Sequence, residues 1–247
     1  MAIVDGHLHL PWGDRTSARR AACVRGCIIS RSTEENGKYL RFAAFTGTPC
    51  AIFIGSRLEE RKQAMDYIER KLAAGYDHVE ARGAFSEEPL RILLETSQRA
   101  GLPVFLHLSR HDEGILPSRE ARRCLEYITG HFPLVRAVVA HFGGENFWDT
   151  LRFAEWNSNI TLDMSCMDET SERVGLADPC ELLKIAAGRL PAEQIIFGSD
   201  HAWGSDVASA PELAYAKDVF NTDELKCVTS TNSLALLGEL LQGTFPA

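Results

Sequence analysis

The sequence lacks several features, and each absence narrows what the chain can be. No apolar run is long enough to cross a bilayer, and Met1-Ala2-Ile3-Val4-Asp5-Gly6 carries no basic region ahead of an apolar one. That excludes a secretory signal from the reading and leads us to expect a cytoplasmic protein with no membrane partner. The seven cysteines (Cys23, Cys27, Cys50, Cys124, Cys166, Cys180, Cys227) are odd in number and scattered, with no C-x-x-C pair. This argues against a disulfide framework or a thiolate zinc finger and for reduced core thiols. Positive charge is in short supply, 26 Lys and Arg against 34 Asp and Glu, which argues against a broad phosphate-binding surface, though not against a local cationic pocket, and nucleic acid is not an expected partner. There is no internal repeat, low-complexity tract or Pro/Ser-rich linker to mark a boundary, so residues 1–247 are expected to form one domain.

What is present is an alternation of short β-rich runs with amphipathic stretches. The candidate strands are Ile3–Val4, Gly26–Ser30, Cys50–Gly55, His78–Ala81, Val104–Leu108, Ala137–Ala140, Asn159–Asp163 and Gln194–Gly198. Their starts lie roughly 20 to 35 residues apart, the length a strand and a returning helix require. A helix is expected from Leu58 to Ala74, with Leu58, Met65, Ile68 and Leu72 on one face and Gly75 as the stop. Another is expected from about Glu88 to Ala100, ended by Gly101-Leu102-Pro103. Arg31 to Thr48 is polar and glycine-punctuated, and its element is not assigned. Eight such units make the fold class α/β, a single (β/α)8 TIM barrel. A doubly wound open sheet is the alternative, but no Gly-rich phosphate loop follows the first strand.

The chemistry-bearing residues gather at strand ends. In Asp5-Gly6-His7-Leu8-His9, alternate residues of a strand share a side, so His7 and His9 can face one metal. Val104-Phe105-Leu106 runs into His107, Val138-Val139-Ala140 into His141, and Ile195-Ile196-Phe197-Gly198-Ser199 into Asp200. In a barrel of parallel strands all C-terminal ends open on one face, so these distant residues converge. Imidazoles with a carboxylate are the donor set that Zn2+ and related divalent ions prefer. Each residue also has a plainer explanation: a surface histidine pair for His7 and His9, core histidines for His107 and His141, a helix cap for Asp200. Their common position after apolar strands favours the ligand reading.

Taken together, D-G-H-L-H-L, P-V-F-L-H-L, A-H-F-G-G, N-I-T-L-D-M-S, I-I-F-G-S-D-H-A-W and N-S-L-A-L-L-G span nearly the whole chain. In this order they resemble the amidohydrolase superfamily, and within it the amidohydrolase-2, decarboxylase- and lactonase-like group of metal-dependent barrels. The resemblance implies that His7, His9, His107 and Asp200 ligate the metal and that Asp200 also moves protons. It gives His141 either a second metal or the polarisation of substrate. Many relatives carry a bridging carboxylated lysine on strand four. Here the segment reads His78-Val79-Glu80-Ala81-Arg82, and Glu80 would take that place, as a glutamate does in the similar TatD-like nucleases. The cofactor is therefore one or two divalent ions, Zn2+ first and Mn2+ as the alternative.

Arg31, Arg57, Arg82 and Arg110 fall at or just past strand ends, where a substrate must lie. An arginine fork matches a carboxylate, so a small carboxylated substrate is expected, with Arg82 and Arg110 the preferred pair to bind it. Trp12, Trp148 and Trp203 are candidates for the pocket wall. The expected reaction is hydrolysis of an amide, ester or lactone bond by a metal-activated water. Nonoxidative decarboxylation or hydration, TatD-like phosphodiester cleavage and a non-catalytic metal- or metabolite-binding barrel stay open as alternatives. The sequence also leaves a homo-oligomer undecided.

Overall fold

The computed structural model describes residues 3–10, 25–55, 57–78, 87–109, 118–201, 209–238 and 240. Eight strands follow one another around a single sheet in chain order: β1 (Val4–Leu8), β2 (Arg25–Ile29), β3 (Cys50–Phe53), β4 (Ala74–His78), β5 (Val104–His107), β6 (Ala137–Val139), β7 (Ile160–Asp163) and β8 (Ile195–Ile196). Every neighbouring pair is parallel. The residues just past β8 close the circle. Gly6 N–H donates to the Phe197 carbonyl at 2.8 Å, Asp200 N–H to that of His7 at 2.9 Å, and His9 N–H to that of His201 at 3.0 Å. This is the (β/α)8 barrel that the alternation predicts, and the unbroken sequential order excludes a doubly wound sheet, whose order reverses midway.

Strands covered on both faces need apolar residues at every position, which is why they read as continuous rather than alternating runs. Val104, Phe105, Leu106, Ala137, Val138 and Val139 are all buried. The surrounding helices include α1 (Thr33–Thr46), α2 (Leu58–Glu69), α3 (Glu87–Ala100), α4 (Ser118–His131), α5 (Phe147–Trp156), α6 (Met167–Arg173), α7 (Pro179–Ala187) and α8 (Pro211–Val219). Helix α3 buries Leu90, Leu93, Leu94, Ser97 and Ala100, a stripe at three- and four-residue spacing, and Gly101 in the left-handed region ends it. The unassigned second unit is helix α1. It buries only Tyr39 and Ala43 among its residues, too narrow a stripe to stand out in a polar segment, and left-handed Gly47 caps it.

The fourth unit departs from expectation, and the departure matters for the site. Helix α2 stops at Glu69 rather than Ala74, and β4 occupies Ala74–His78 rather than His78–Ala81. Lys71 supplies the left-handed turn (φ 55°) expected of Gly75, while Lys71 and Leu72 N–H donate to the carbonyls of Ile68 and Tyr67. Gly75 lies within the strand because α3 presses on it: a Cβ there would overlap Leu93 Cδ1. Since β4 ends at His78, Glu80 and Arg82 follow it and lie outside the described residues.

Among the described residues, no helix is long and apolar enough to cross a membrane. The described cysteines are free thiols, but only Cys27, Cys50 and Cys124 belong to the core. Cys166, Cys180 and Cys227 are partly exposed, which corrects the expectation for those three.

Candidate metal centre

The two-residue repeat of β1 points His7 and His9 together into the barrel mouth, where both are buried with ring centroids 5.1 Å apart. From the far side come His141, stacked on His7 at 5.1 Å, and His107, edge-on to His141 at 4.9 Å. Asp200 completes the group, with Oδ1 2.7 Å from His9 Nε2 and 3.5 Å from His7 Nε2. Segments that lie far apart in sequence thus meet at one place. His107 is the outlying member: its Nε2 is 3.1 Å from Ser109 Oγ, and it is not part of the tight donor sets formed by the others. Glu80, Arg82, Arg110, Trp12 and Trp203 lie outside the described residues. Arg31 and Arg57 are exposed, Arg57 paired with Glu60 at 3.1 Å, and Trp148 is exposed on α5.

Hydrogen bonding decides which ring nitrogens face the centre. His7 Nδ1 is 2.6 Å from Asp163 Oδ2 and His9 Nδ1 is 2.6 Å from the Ile29 carbonyl. Both partners only accept, so each Nδ1 carries a proton, and in the neutral ring each Nε2 presents a lone pair. Those lone pairs face Asp200 Oδ1. His7 Nε2 and Asp200 Oδ1 are buried without a hydrogen-bond partner. Three acceptors aimed at one point repel unless a cation lies among them, and His7, His9 and Asp200 hold their donor atoms within 4.8 Å of one another. The residues therefore fit a divalent metal ion.

Asp163, which the sequence reading does not single out, organises much of the centre. Besides His7 it accepts from Ser165 Oγ at 2.9 Å and Ser165 N–H at 3.0 Å, while Ser165 Oγ is 2.8 Å from His141 Nδ1. With its own proton given to Asp163, Ser165 accepts from His141, so His141 also turns a lone pair, on Nε2, away from the network. Asp163 ends an apolar strand inside N-I-T-L-D-M-S, the same signal that marks His107, His141 and Asp200. Asp5 has a parallel task. It accepts from His7 N–H (3.1 Å), Ser199 N–H (3.0 Å) and Ser199 Oγ (2.6 Å), tying β1 to the turn that carries Asp200. Gly198 leaves room for the Asp163 carboxylate, since a Cβ there would overlap Asp163 Oδ1.

Backbone strain collects here as well. His141 (φ 57°), Phe142 (φ 53°), Cys166 (φ 53°) and Asp200 (φ 55°) all adopt left-handed conformations that cost a side-chain-bearing residue about 1–2 kcal/mol each. Such positions persist only where the surroundings over-determine them.

Burial dominates the electrostatics. It lowers His9, and with the neighbouring His107 and His7 it lowers His141 to about 3, keeping both rings neutral and able to bind a cation. At His7 burial pulls the same way, but the Asp163 carboxylate outweighs it and raises the ring's basicity, which strengthens it as a donor. Burial opposes ionisation of Asp200, yet a hydrogen bond from His9 and the positive charge that His7, His141 and His9 carry when protonated, a charge a bound cation would replace, hold its carboxyl below the usual carboxylate range.

A second carboxyl lies behind the centre. Burial pushes Glu212, on α8, up to about 7, with Asp168 and Asp163 adding to the effect and hydrogen bonds at its own backbone and at Cys166 opposing it. From its ordinary value of 4.5 to about 7 the folded protein keeps a proton that the unfolded chain has released, so this group lowers stability as pH rises through that window. Glu212→Gln should remove that dependence, a relative gain of at most about 3 kcal/mol on going from about pH 4 to about pH 8. Urea midpoints at both pH values measure it, and parallel curves for variant and wild type would dismiss the proton linkage.

The family model described as Amidohydrolase matches residues 31–238. No curated protein sequence matches the chain. Similar solved structures include an uncharacterized TIM-barrel protein from Bordetella bronchiseptica, at 15% identity and a TM-score of 0.71 over 97% of this chain and 99% of that one. A dihydroorotase from Campylobacter jejuni matches at 17% identity and a TM-score of 0.64, over 96% of this chain and 83% of that one. L-hydantoinase (dihydropyrimidinase) from Arthrobacter aurescens matches at 14% identity and a TM-score of 0.60, over 96% and 70%. At these identities the likeness concerns the fold.

Proposed function

Since the chain belongs to the amidohydrolase family, we propose that it hydrolyses an amide, ester or lactone bond of a small anionic substrate, using water activated by a divalent metal ion. One observation carries the reading. The Nδ1 atoms of His7 and His9 are committed to Asp163 and Ile29, so two imidazole lone pairs and a carboxylate oxygen point at one another in a buried site. His107, from β5, is proposed to complete the donor set.

A divalent ion bound there supplies Lewis acidity, polarising a carbonyl group and making water acidic near neutral pH. Asp200 is the proton carrier. Ionised beside the bound cation, it takes the proton of the attacking water and returns it to the leaving group. His141 presents a lone pair rather than an N–H, which suits it to hold a cation or accept a proton and not to donate to a developing oxyanion. Arg31 lies near enough for its charge to oppose protonation of His9, so it joins Arg82 and Arg110 as a candidate for the substrate's carboxylate. Zinc is proposed over manganese because most of the donors are imidazoles. A cytoplasmic site of action remains part of the proposal.

The test combines metal analysis with a substrate panel before and after chelation. Cyclic amides, as suggested by the names dihydroorotase and hydantoinase, are assayed first, then esters, lactones, phosphodiesters and decarboxylation substrates. Hydrolysis that chelation abolishes and metal restores is the expected result, and activity indifferent to chelation would overturn the proposal. His107→Ala should lower bound metal and activity together by roughly 10-fold or more. Full metal occupancy in that variant would remove His107 from the donor set.

A further inference from the structure

Cys166 stands at the centre without a task in the hydrolytic scheme. It follows β7 by three residues, and its Sγ lies 3.2 Å from Asp200 Oδ2, the carboxylate oxygen opposite the one that faces His7 and His9. His141, Cys166 and Asp200 bring donor atoms within 4.8 Å of one another, a second donor set beside that of His7, His9 and Asp200. His141 has Nδ1 engaged by Ser165, which leaves its Nε2 for this set. All three residues take left-handed backbone conformations, φ 57°, 53° and 55°, although none is glycine. A buried carboxyl, Glu212, hydrogen-bonds at the Cys166 backbone and so helps to hold that turn. The orphaned Nε2 of His7, whose side chain is 1% exposed, points at Oδ1 of the same carboxylate and marks the adjoining position at His7 and His9, which leaves Oδ2 for the set with Cys166.

We infer that Cys166 supplies a thiolate to a second cation position, which it shares with His141 and Asp200 beside the position at His7 and His9. The inference rests on the metal-dependent function proposed for the site and assigns it a second ion. As the ion binds, the S–H bond breaks, a sulfur–metal bond forms and the proton leaves to solvent. A thiolate selects thiophilic divalent ions, so this position takes zinc or cobalt in preference to manganese or magnesium.

Cobalt(II) is the probe. Metal-free protein reconstituted with Co2+ should bind two equivalents and show the near-ultraviolet thiolate-to-cobalt charge-transfer band. Cys166→Ser should lose the band and one equivalent, while Cys180→Ser, which changes a thiol on α7 away from the site, should keep both. Cobalt bound without the band, or a band that survives Cys166→Ser, would overturn the assignment of Cys166 and leave the His7 and His9 position standing. No cobalt bound at all would overturn both readings. Should the serine variant fail to fold, zinc-edge X-ray absorption of the unaltered zinc-loaded protein gives the answer. A sulfur scatterer at about 2.3 Å supports the thiolate, and a shell of nitrogen and oxygen alone rejects it.

Discussion

Replacing Asp200 by asparagine should lower kcat by about three orders of magnitude, within the range that a positioned acid–base group contributes. Asparagine has nearly the same shape, so the turn after β8 and its hydrogen bond to the His7 carbonyl are kept. What disappears is the negative charge facing the lone pairs of His7 and His9, together with the group proposed to carry a proton between water and leaving group. Both losses should register, one as weaker metal retention and the other as slower turnover with metal at saturation. Measuring kcat at saturating zinc separates them, with a urea midpoint to check the fold. A drop of less than about tenfold at full occupancy would deny Asp200 the proton-transfer role.

The second large effect is expected from a residue proposed to act through His7, which it hydrogen-bonds, and through Ser165. Asp163→Asn should weaken metal binding by about 10- to 100-fold, the usual cost of losing an orienting partner behind a histidine ligand. The carboxylate holds His7 Nδ1 at 2.6 Å and reaches His141 through Ser165. An amide in its place can offer an N–H to His7 Nδ1. The ring then answers with the other tautomer, and the proton on Nε2 blocks the metal. Ser165→Ala should produce a smaller loss confined to the His141 side, and the double variant should fall short of the summed effects because both act on the same ring. Competition with a chromophoric chelator gives the affinities. An affinity within twofold of wild type for Asp163→Asn would reduce that residue to packing.

Much of the site is legible in the order of residues along the chain. The run D-G-H-L-H names two of its members, because a strand repeats every two residues whatever surrounds it. His141 and Asp200 are legible for a related reason: a polar residue ending an apolar parallel strand has the barrel mouth as its natural place. Asp163 carries that signal too, yet a buried aspartate is conspicuous only once its hydrogen bonds are known. Cys166 carries no signal, since a cysteine beside a strand reads as core. The unit around β4 is misplaced because Leu72, Ala73 and Ala74 suit a helix as well as a strand. Lys71 in the left-handed region is a stop that residue type does not announce.

Sequence by itself determined the alternation of strand and helix, the barrel that eight such units make, and the residues held at the strand ends, because side-chain periodicity and apolar burial are local properties. Tertiary structure alone decided which of those residues meet and which atoms they present. Closure of β1 against the segment after β8 sets Asp200 over the two imidazoles, and Asp163 and the Ile29 carbonyl choose the protonated nitrogen of each ring. A hydrogen bond across a barrel joins residues that no local pattern relates, and here such bonds turn separate side chains into a centre that calls for a cation.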